Sequence, residues 1–416
     1  MKTKKIGFLV ILFAVLFLYI TNIDKIPDEI VLFQNENYEI NYLKGIDIEG
    51  ENILARDSFL NKIAKVKSNF VGNNKLTLSA FGGIMKKDIS VSVLPATSVK
   101  VGGDTIGIRL YSKGVLVIGE SPVQGTDGNW YEPYLSSNIE RGDKIMKINN
   151  IPVETIKELV IAVNMSESNE VVIEYEKDGN TLIETMATVK CFDDGMRRLG
   201  LWVRDGAMGV GTLTFYDDKN ELYGALGHGI SDYDLKELID VDTGTLNIAS
   251  VMEINKGTKN SPGEIKGLLN EKVEIGTIEK NNSNGIYGTF SGDNSYFRGR
   301  QDVLVASKNE IKLGDAKVVC TVDEDNIPKE YDIEIVKIAD NPNVSSKGMI
   351  IKVTDDELLE KTGGIIQGMS GSPILQDGKL IGAVTHVYLS DPTKGYAIFA
   401  ETMIKELKSW ISIARI

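Results

Sequence analysis

The sequence predicts a mainly β protein of several domains behind an N-terminal apolar helix, and three observations carry that expectation. Glycine outnumbers proline by 41 to 10 in a chain of 416 residues, which argues for many tight turns. Short stretches such as Lys75-Leu76-Thr77-Leu78 and Ile89-Ser90-Val91-Ser92-Val93 alternate with the two-residue period of half-buried strands. The length divides into two or three units at roughly 150 residues per domain. With 46 Lys and Arg against 59 Asp and Glu, the net charge of −13 excludes a protein that binds nucleic acid by neutralising phosphates. An apolar content of 42% excludes disorder.

The elements follow in chain order. Lys2, Lys4 and Lys5 precede an unbroken apolar run over residues 6–20, the charged and apolar regions of an export signal. As a helix, those residues rise about 23 Å against a hydrocarbon core of about 30 Å. No small-x-small cleavage site follows Ile20, so an uncleaved anchor over residues 1–25 is favoured over a cleaved signal peptide or a buried core helix. The lysines would face the cytoplasm and the rest of the chain would lie outside. Residues 26–96 read as a small β domain closing at Pro95. Cys191 and Cys320 are too distant in sequence to announce a disulfide scaffold, and Cys320 sits in an apolar stretch that reads as buried core. With His228 and His386 as the only histidines, no cluster of Cys or His offers a metal site, and no cofactor is expected.

Over residues 97–188 the stretch Asn138-Ile-Glu-Arg-Gly142-Asp143-Lys-Ile145-Met-Lys-Ile148-Asn149-Asn150 resembles the second half of a PDZ domain. A Gly-Asp turn enters a strand there, and Asn-Asn makes the next tight turn. The resemblance implies that Ile106, Gly107 and Ile108 form the loop whose amides capture a peptide carboxylate. Ile156, Leu159, Val160 and Val163 fall at helical spacing and suit the groove helix, with the peptide adding as a strand beside residues 108–111. A generic α+β domain is the alternative.

Residues 189–416 carry the chemistry. In Gly368-Met369-Ser370-Gly371-Ser372-Pro373 a serine stands between glycines and ahead of an apolar strand. An α/β-hydrolase elbow needs Gly two positions after the serine, where Ser372 stands, and then a helix. A chymotrypsin-like site needs Gly-x-Ser-Gly-(Gly or Ser)-Pro, so that the Ser370 hydroxyl is presented while the Gly368 and Ser370 amides converge on the developing oxyanion. The hexapeptide fits the second pattern, and a plain hairpin turn is the bland alternative. The serine needs an imidazole to take its proton. His228, in Gly227-His228-Gly229-Ile230-Ser231-Asp232, has little side-chain cover and suits that base. His386, beside Thr385 in an apolar strand 16 residues after Ser370, falls where such enzymes line the substrate pocket, although a satisfied strand histidine is the favoured reading. Asp355 completes a His, Asp, Ser order, although Thr354-Asp-Asp-Glu357 also reads as a capping box opening a short helix. Asp232 and Asp234 are rivals for the acid through their nearness to His228.

Taken together, the Gly-His-Gly-Ile-Ser-Asp stretch, the approach to Gly-Met-Ser-Gly-Ser-Pro, the Ala-Val-Thr-His-Val strand, the PDZ-like segment and the N-terminal anchor resemble the stage IV sporulation protein B (SpoIVB) peptidase family over roughly residues 101–402. The resemblance implies a PDZ-containing serine endopeptidase with a chymotrypsin-like double β-barrel, Ser370 as nucleophile, His228 as base and Asp355 as orienting acid. It also implies release into the space between the two forespore membranes, self-cleavage, and cleavage of the regulatory subunit of an intramembrane protease complex, which triggers the late mother-cell sigma factor. One departure is that the acid of ordinary chymotrypsin-like enzymes lies much farther upstream of the serine. The competing function is a non-catalytic envelope scaffold with a dead barrel.

Overall fold

A computed structural model describes residues 2–50, 53–57, 61–292, 294–297, 299–339 and 346–414. The protein is mainly β, as the sequence predicts, with barrel-like sheets. Helix α1 (Lys2–Asp24) opens the chain. Among the described residues no helix is long and apolar enough to cross a membrane. The last turn of α1 is tied down: Ile23 is buried, the Tyr19 hydroxyl donates to the Lys44 carbonyl at 2.6 Å, and Asn22 Oδ1 accepts from the Leu43 amide. Residues 29–94 form a four-stranded and a three-stranded sheet around a common core that includes Leu32, Ile40, Tyr42, Val66, Leu76 and Val91. Alternating side chains supply that core, as a two-residue period requires.

Strands β1 (Ser98–Val101), β2 (Thr105–Glu120), β3 (Leu201–Asp217), β4 (Leu222–Ala225) and β5 (Val241–Asn255) belong to one large sheet. Its core gathers Ile106, Ile108, Leu110, Leu213, Tyr216, Tyr223 and Leu246. A second, closed barrel runs β6 (Gly314–Cys320), β7 (Lys329–Ile338), β8 (Met349–Val353), β9 (Pro373–Gln376), β10 (Lys379–Val387) and β11 (Lys394–Phe399), closing in the order β6-β7-β8-β11-β10-β9. Cys320, 1% exposed, packs inside it, and burial pushes its thiol up. Helix α4 (Ala400–Ala414) lays Met403, Ile404 and Leu407 across a core shared with Phe215 of the large sheet, Ile398 of the closed barrel and Phe33 of the N-terminal sheets.

The boundary expected near residue 97 is displaced. Strand β2 pairs with β3 from Thr105↔Thr212 to Glu120↔Leu201, and its first half also pairs with β5 from Ile106↔Ile248 to Ser112↔Val241. The far halves of β2 and β3 then carry the intervening segment, where Ile145 pairs with Val115 and helix α2 (Ile156–Asn164) packs Leu159, Ala162 and Val163 against Ile145, Ile173 and Tyr175. Gly114 marks the transition, with φ of 73° and no room for a side chain, because a Cβ would lie 2.6 Å from the Met146 sulfur. Residues 98–101 and 105–112 therefore belong to the large sheet, and the middle unit is grown on two long strands rather than starting afresh.

One buried carboxyl sits where the N-terminal sheets meet α4. Glu401 accepts from the Lys308 amide at 2.7 Å. Burial, opposed by that bond and by Lys308, pushes its carboxyl up to about 8, with Glu36 and Glu29 adding to the rise. The folded value is raised, so the stabilisation is complete below the ordinary carboxyl range and fades as pH climbs from there toward 8, at up to about 1.4 kcal/mol per pH unit. Glu401→Gln, which holds the neutral state, is expected to raise Tm at pH 8 and leave it nearly unchanged at pH 4. Thermal scans at both values test this, and equal effects at the two would refute it.

Candidate active site

Ser370 lies in the turn between Ile366 and β9, wedged between the large sheet and the closed barrel. The turn is stitched to β3: the Thr212 amide donates to the Ser370 carbonyl at 2.9 Å, Thr212 Oγ1 to the Gly368 carbonyl at 2.8 Å, and Thr214 Oγ1 to the Gly371 carbonyl at 2.8 Å. On the other side the Gly371 amide donates to the Val384 carbonyl of β10, and the Val384 amide returns a bond to Ser372. Gly368 and Gly371 both have φ of 96°, and a Cβ on Gly371 would stand 2.1 Å from the Thr212 carbonyl oxygen. The glycines that flag the motif in sequence are thus demanded by backbone geometry and by the approach of β3. Among the described residues neither the Gly368 amide nor the Ser370 amide has a hydrogen-bond partner.

His228 follows β4 through a turn in which Leu226 and Gly227 have φ of 68° and 70°. A Cβ on Gly227 would lie 2.8 Å from Ile398 and 3.0 Å from Thr385, so this turn packs on β10 and β11 of the closed barrel. That contact carries the half-buried His228 across the seam, where its ring faces His386 at 4.9 Å between centroids and an angle of 40°. Nearby, Ser370 Oγ donates to the Thr385 carbonyl at 2.8 Å. Thr385 is buried and its own hydroxyl donates to the Ser346 carbonyl, so what it offers the site is its main chain. The structure therefore gathers Ser370, His228, Thr385 and His386 in one place.

His228 Nδ1 is 2.8 Å from the Gly229 carbonyl oxygen. A carbonyl only accepts, so Nδ1 carries the proton and Nε2 keeps its lone pair. Burial lowers the His228 pKa, and the Gly229 bond opposes this in part. Desolvation, His228 and Lys347 together push His386 down to about 4. His386 is an exposed residue, so water screens part of that displacement. Both imidazoles are uncharged at neutral pH.

Asp355 is not brought to this pair. It is the N-cap of α3 (Asp356–Thr362): one carboxylate oxygen accepts from the Leu358 amide at 3.0 Å and the other from the Asp332 amide at 3.2 Å. Among the described residues no hydrogen bond or ion pair joins it to either histidine. The expected capping box at Thr354 is replaced by a simple cap at Asp355, because the third helical residue is Leu358, which cannot return a bond. Asp232 and Asp234 are committed as well, to Arg204 of β3 at 2.6 and 2.8 Å. Burial works against the Asp232 charge, but the Leu235 amide and Arg204 outweigh it and hold that carboxyl below the usual range. The orienting contact on His228 is a backbone carbonyl, which no sequence pattern could announce.

Ile106, Gly107 and Ile108 do not form a carboxylate-binding loop. They lie mid-strand in β2 with β3 on one edge and β5 on the other, and Ile106 and Ile108 are core residues. No amide there is free to meet a peptide. A cleft of about 410 Å³ lies elsewhere in the middle unit, lined by Leu159, Val160 and Val163 of α2 and by Leu199, Gly200 and Trp202. Helix α2 is pinned at both ends: the Ile156 amide donates to Asp205 of β3, and Asn164 Oδ1 accepts from the amide of Arg197, which precedes that strand. The outer edge of residues 201–203 has no strand beside it among the described residues. The missed signal is Arg197-Arg198-Leu199-Gly200-Leu201-Trp202, a glycine between apolar residues that opens a strand.

Solved structures offer weak likenesses. One is an inactive serine-to-alanine mutant of Rv3671c from M. tuberculosis H37Rv, at 12% identity and a TM-score of 0.26, over 48% of this chain and 80% of that one. Another is an I-band fragment of titin, at 10% identity and a TM-score of 0.13, over 64% of this chain and 87% of that one. Likenesses at this level carry no argument about the chain. No curated protein matches it. The family comparison is decisive: residues 195–404, half of the chain, match the SpoIVB peptidase S55 family, and they include both histidines and the serine between its glycines. The chain belongs to the SpoIVB peptidase S55 family.

Proposed function

We propose that this S55-family serine peptidase is an endopeptidase working through an acyl-enzyme on Ser370, with His228 Nε2 as the base. The observation that carries the reading is the meeting at β10: Thr385 holds the Ser370 hydroxyl and the next residue, His386, faces His228. In the resting arrangement the Ser370 proton points at a carbonyl, which cannot accept it. Catalysis requires the hydroxyl to rotate onto His228 Nε2, whose lone pair is preserved by the Nδ1 bond to Gly229. As Ser370 Oγ attacks a peptide carbonyl, the proton passes to Nε2 and then to the leaving amine, while the Gly368 and Ser370 amides receive the oxyanion. Water then hydrolyses the ester by the reverse route. The same Ser370 to Thr385 bond favours the rival reading, a scaffold with an inert barrel.

The middle unit acts in this reading as a PDZ-like peptide binder whose groove lies between α2 and residues 199–203. Over nine helical residues the groove is about 13 Å long, room for about four extended residues pairing with the free edge of β3. Helix α1 attaches the protein to a membrane on the extracytoplasmic side: Ile6, Val10, Ile11, Phe13 and Phe17 are all more than 60% exposed, a face that water does not favour. Family membership supports sporulation signalling, with self-cleavage and cleavage of a membrane-bound regulatory protein as the events.

Three measurements test this. Labelling by a fluorophosphonate is expected to vanish in Ser370→Ala and to slow by at least 10²-fold in His228→Ala, an effect on the scale of one lost catalytic hydrogen bond. Undiminished labelling of Ser370→Ala would falsify the enzyme reading. Because His228 is depressed, its neutral form persists into acid, so the acid limb of the kcat/KM profile should fall below about pH 6.5. Asp355→Ala should leave that limb in place while costing about 1 kcal/mol of stability as a lost cap. A limb that moves with Asp355 would return the acid role to it. Extended peptides should change the fluorescence of the exposed Trp202, and Val160→Lys should weaken that binding at least tenfold. Equal affinity in a folded Val160→Lys protein would place the groove elsewhere.

A further inference from the structure

The chain has two histidines, and they are neighbours. His228 has committed Nδ1 to the Gly229 carbonyl, which leaves Nε2 as its free nitrogen. His386 has no hydrogen bond on either ring nitrogen among the described residues, and no carboxylate shares the site. A transition metal bonded to an imidazole nitrogen at about 2.1 Å stands about 3.2 Å from the ring centroid. Two rings 4.9 Å apart, each turning one nitrogen to the same ion, would subtend an angle of about 100° there, close to the tetrahedral value that Zn²⁺ prefers.

We propose that His228 and His386 form a binding site for a divalent transition-metal ion of the Zn²⁺ or Ni²⁺ class, and that the bound ion reversibly inhibits the peptidase. The ion occupies the Nε2 lone pair that would otherwise accept the Ser370 proton, so no base remains. Water, or Ser370 Oγ one residue away from His386 through the Thr385 carbonyl, fills the other positions. Among the described residues no group of three or more His, Cys, Asp and Glu gathers to hold a metal. Two protein ligands make a site of modest affinity, suited to an inhibitor that exchanges rather than to a resident structural ion. Hard cations such as Mg²⁺, which take oxygen ligands, should not compete.

The inhibitory half rests on His228 being the base; the binding half does not, and the experiment separates them. Full-length Ser370→Ala protein, treated with EDTA and dialysed, is titrated with ZnSO₄ by calorimetry, and with CoCl₂ while visible absorption is followed. One ion per chain is expected, with affinity reduced at least tenfold by His386→Gln and likewise by His228→Gln. In parallel, the fluorophosphonate labelling rate of the wild-type protein should fall as ZnSO₄ rises. In His386→Gln the half-inhibitory concentration should move up at least tenfold, each protein being scored against its own metal-free rate. Unchanged zinc affinity in both folded histidine variants overturns the site. Binding that depends on both histidines but leaves wild-type labelling untouched overturns the inhibition, and with it the role of His228 as base.

Discussion

The Ser370 turn holds its shape because β3 is pressed against it. Thr212 contributes its amide and hydroxyl as donors, and its carbonyl oxygen occupies the space a side chain on Gly371 would need. With Thr214 the strand makes three bonds to the turn, at Gly368, Ser370 and Gly371, and the two from hydroxyls lie between buried groups. Each such bond contributes about 1 kcal/mol, but removing one partner leaves a buried group unsatisfied at a cost of about 1–3 kcal/mol. The asymmetry matters more than the sum. Any sequence that places Ser370 here must keep glycine at 371 and a small hydroxyl residue at 212, and the two are 159 positions apart (371 − 212).

That constraint explains which parts of the site were legible. Ser370 could be read because its requirements are local: positive φ at both flanking glycines and a strand after Pro373. His228 could be read because its turn also needs a left-handed glycine, at Gly227. Asp355 was open to two readings because one residue type serves two purposes. An aspartate ahead of a helix looks the same whether its oxygens meet backbone amides or an imidazole, and only the fold chooses. The mainly β class and the alternating core of residues 29–94 were legible from period and composition.

The middle unit was harder for a topological reason. Residues 105–112 and 206–217 are strands of the large sheet whose continuations support the neighbouring unit, so no linker, proline run or change of composition marks the passage. A reading that expects a domain to be one continuous segment assigns the first strand to the wrong body. It then looks for a peptide-binding loop at Ile106, where both strand edges are already paired. The free edge lies at the start of β3 instead, after Arg197 and Arg198, because that is where the second long strand emerges before its partners gather on both sides.

Strand β3 consequently touches every functional region in turn. Residues 199–203 line the cleft beside α2. Arg204 then grips Asp232 and Asp234, in the segment that follows His228, and Arg141 from the middle unit adds a bond to the Asp234 carbonyl. Asp232 is 5% exposed and also accepts the Asp234 and Leu235 amides, so this grip fixes the segment rather than decorating it. Eight residues farther along, Thr212 secures the Ser370 turn. The Arg204 guanidinium, half-buried, bridges two different carboxylates with charge-assisted bonds. Arg204 therefore secures the His228 segment and Thr212 the Ser370 turn, so the imidazole and the hydroxyl are both referenced to one strand, at points eight residues apart.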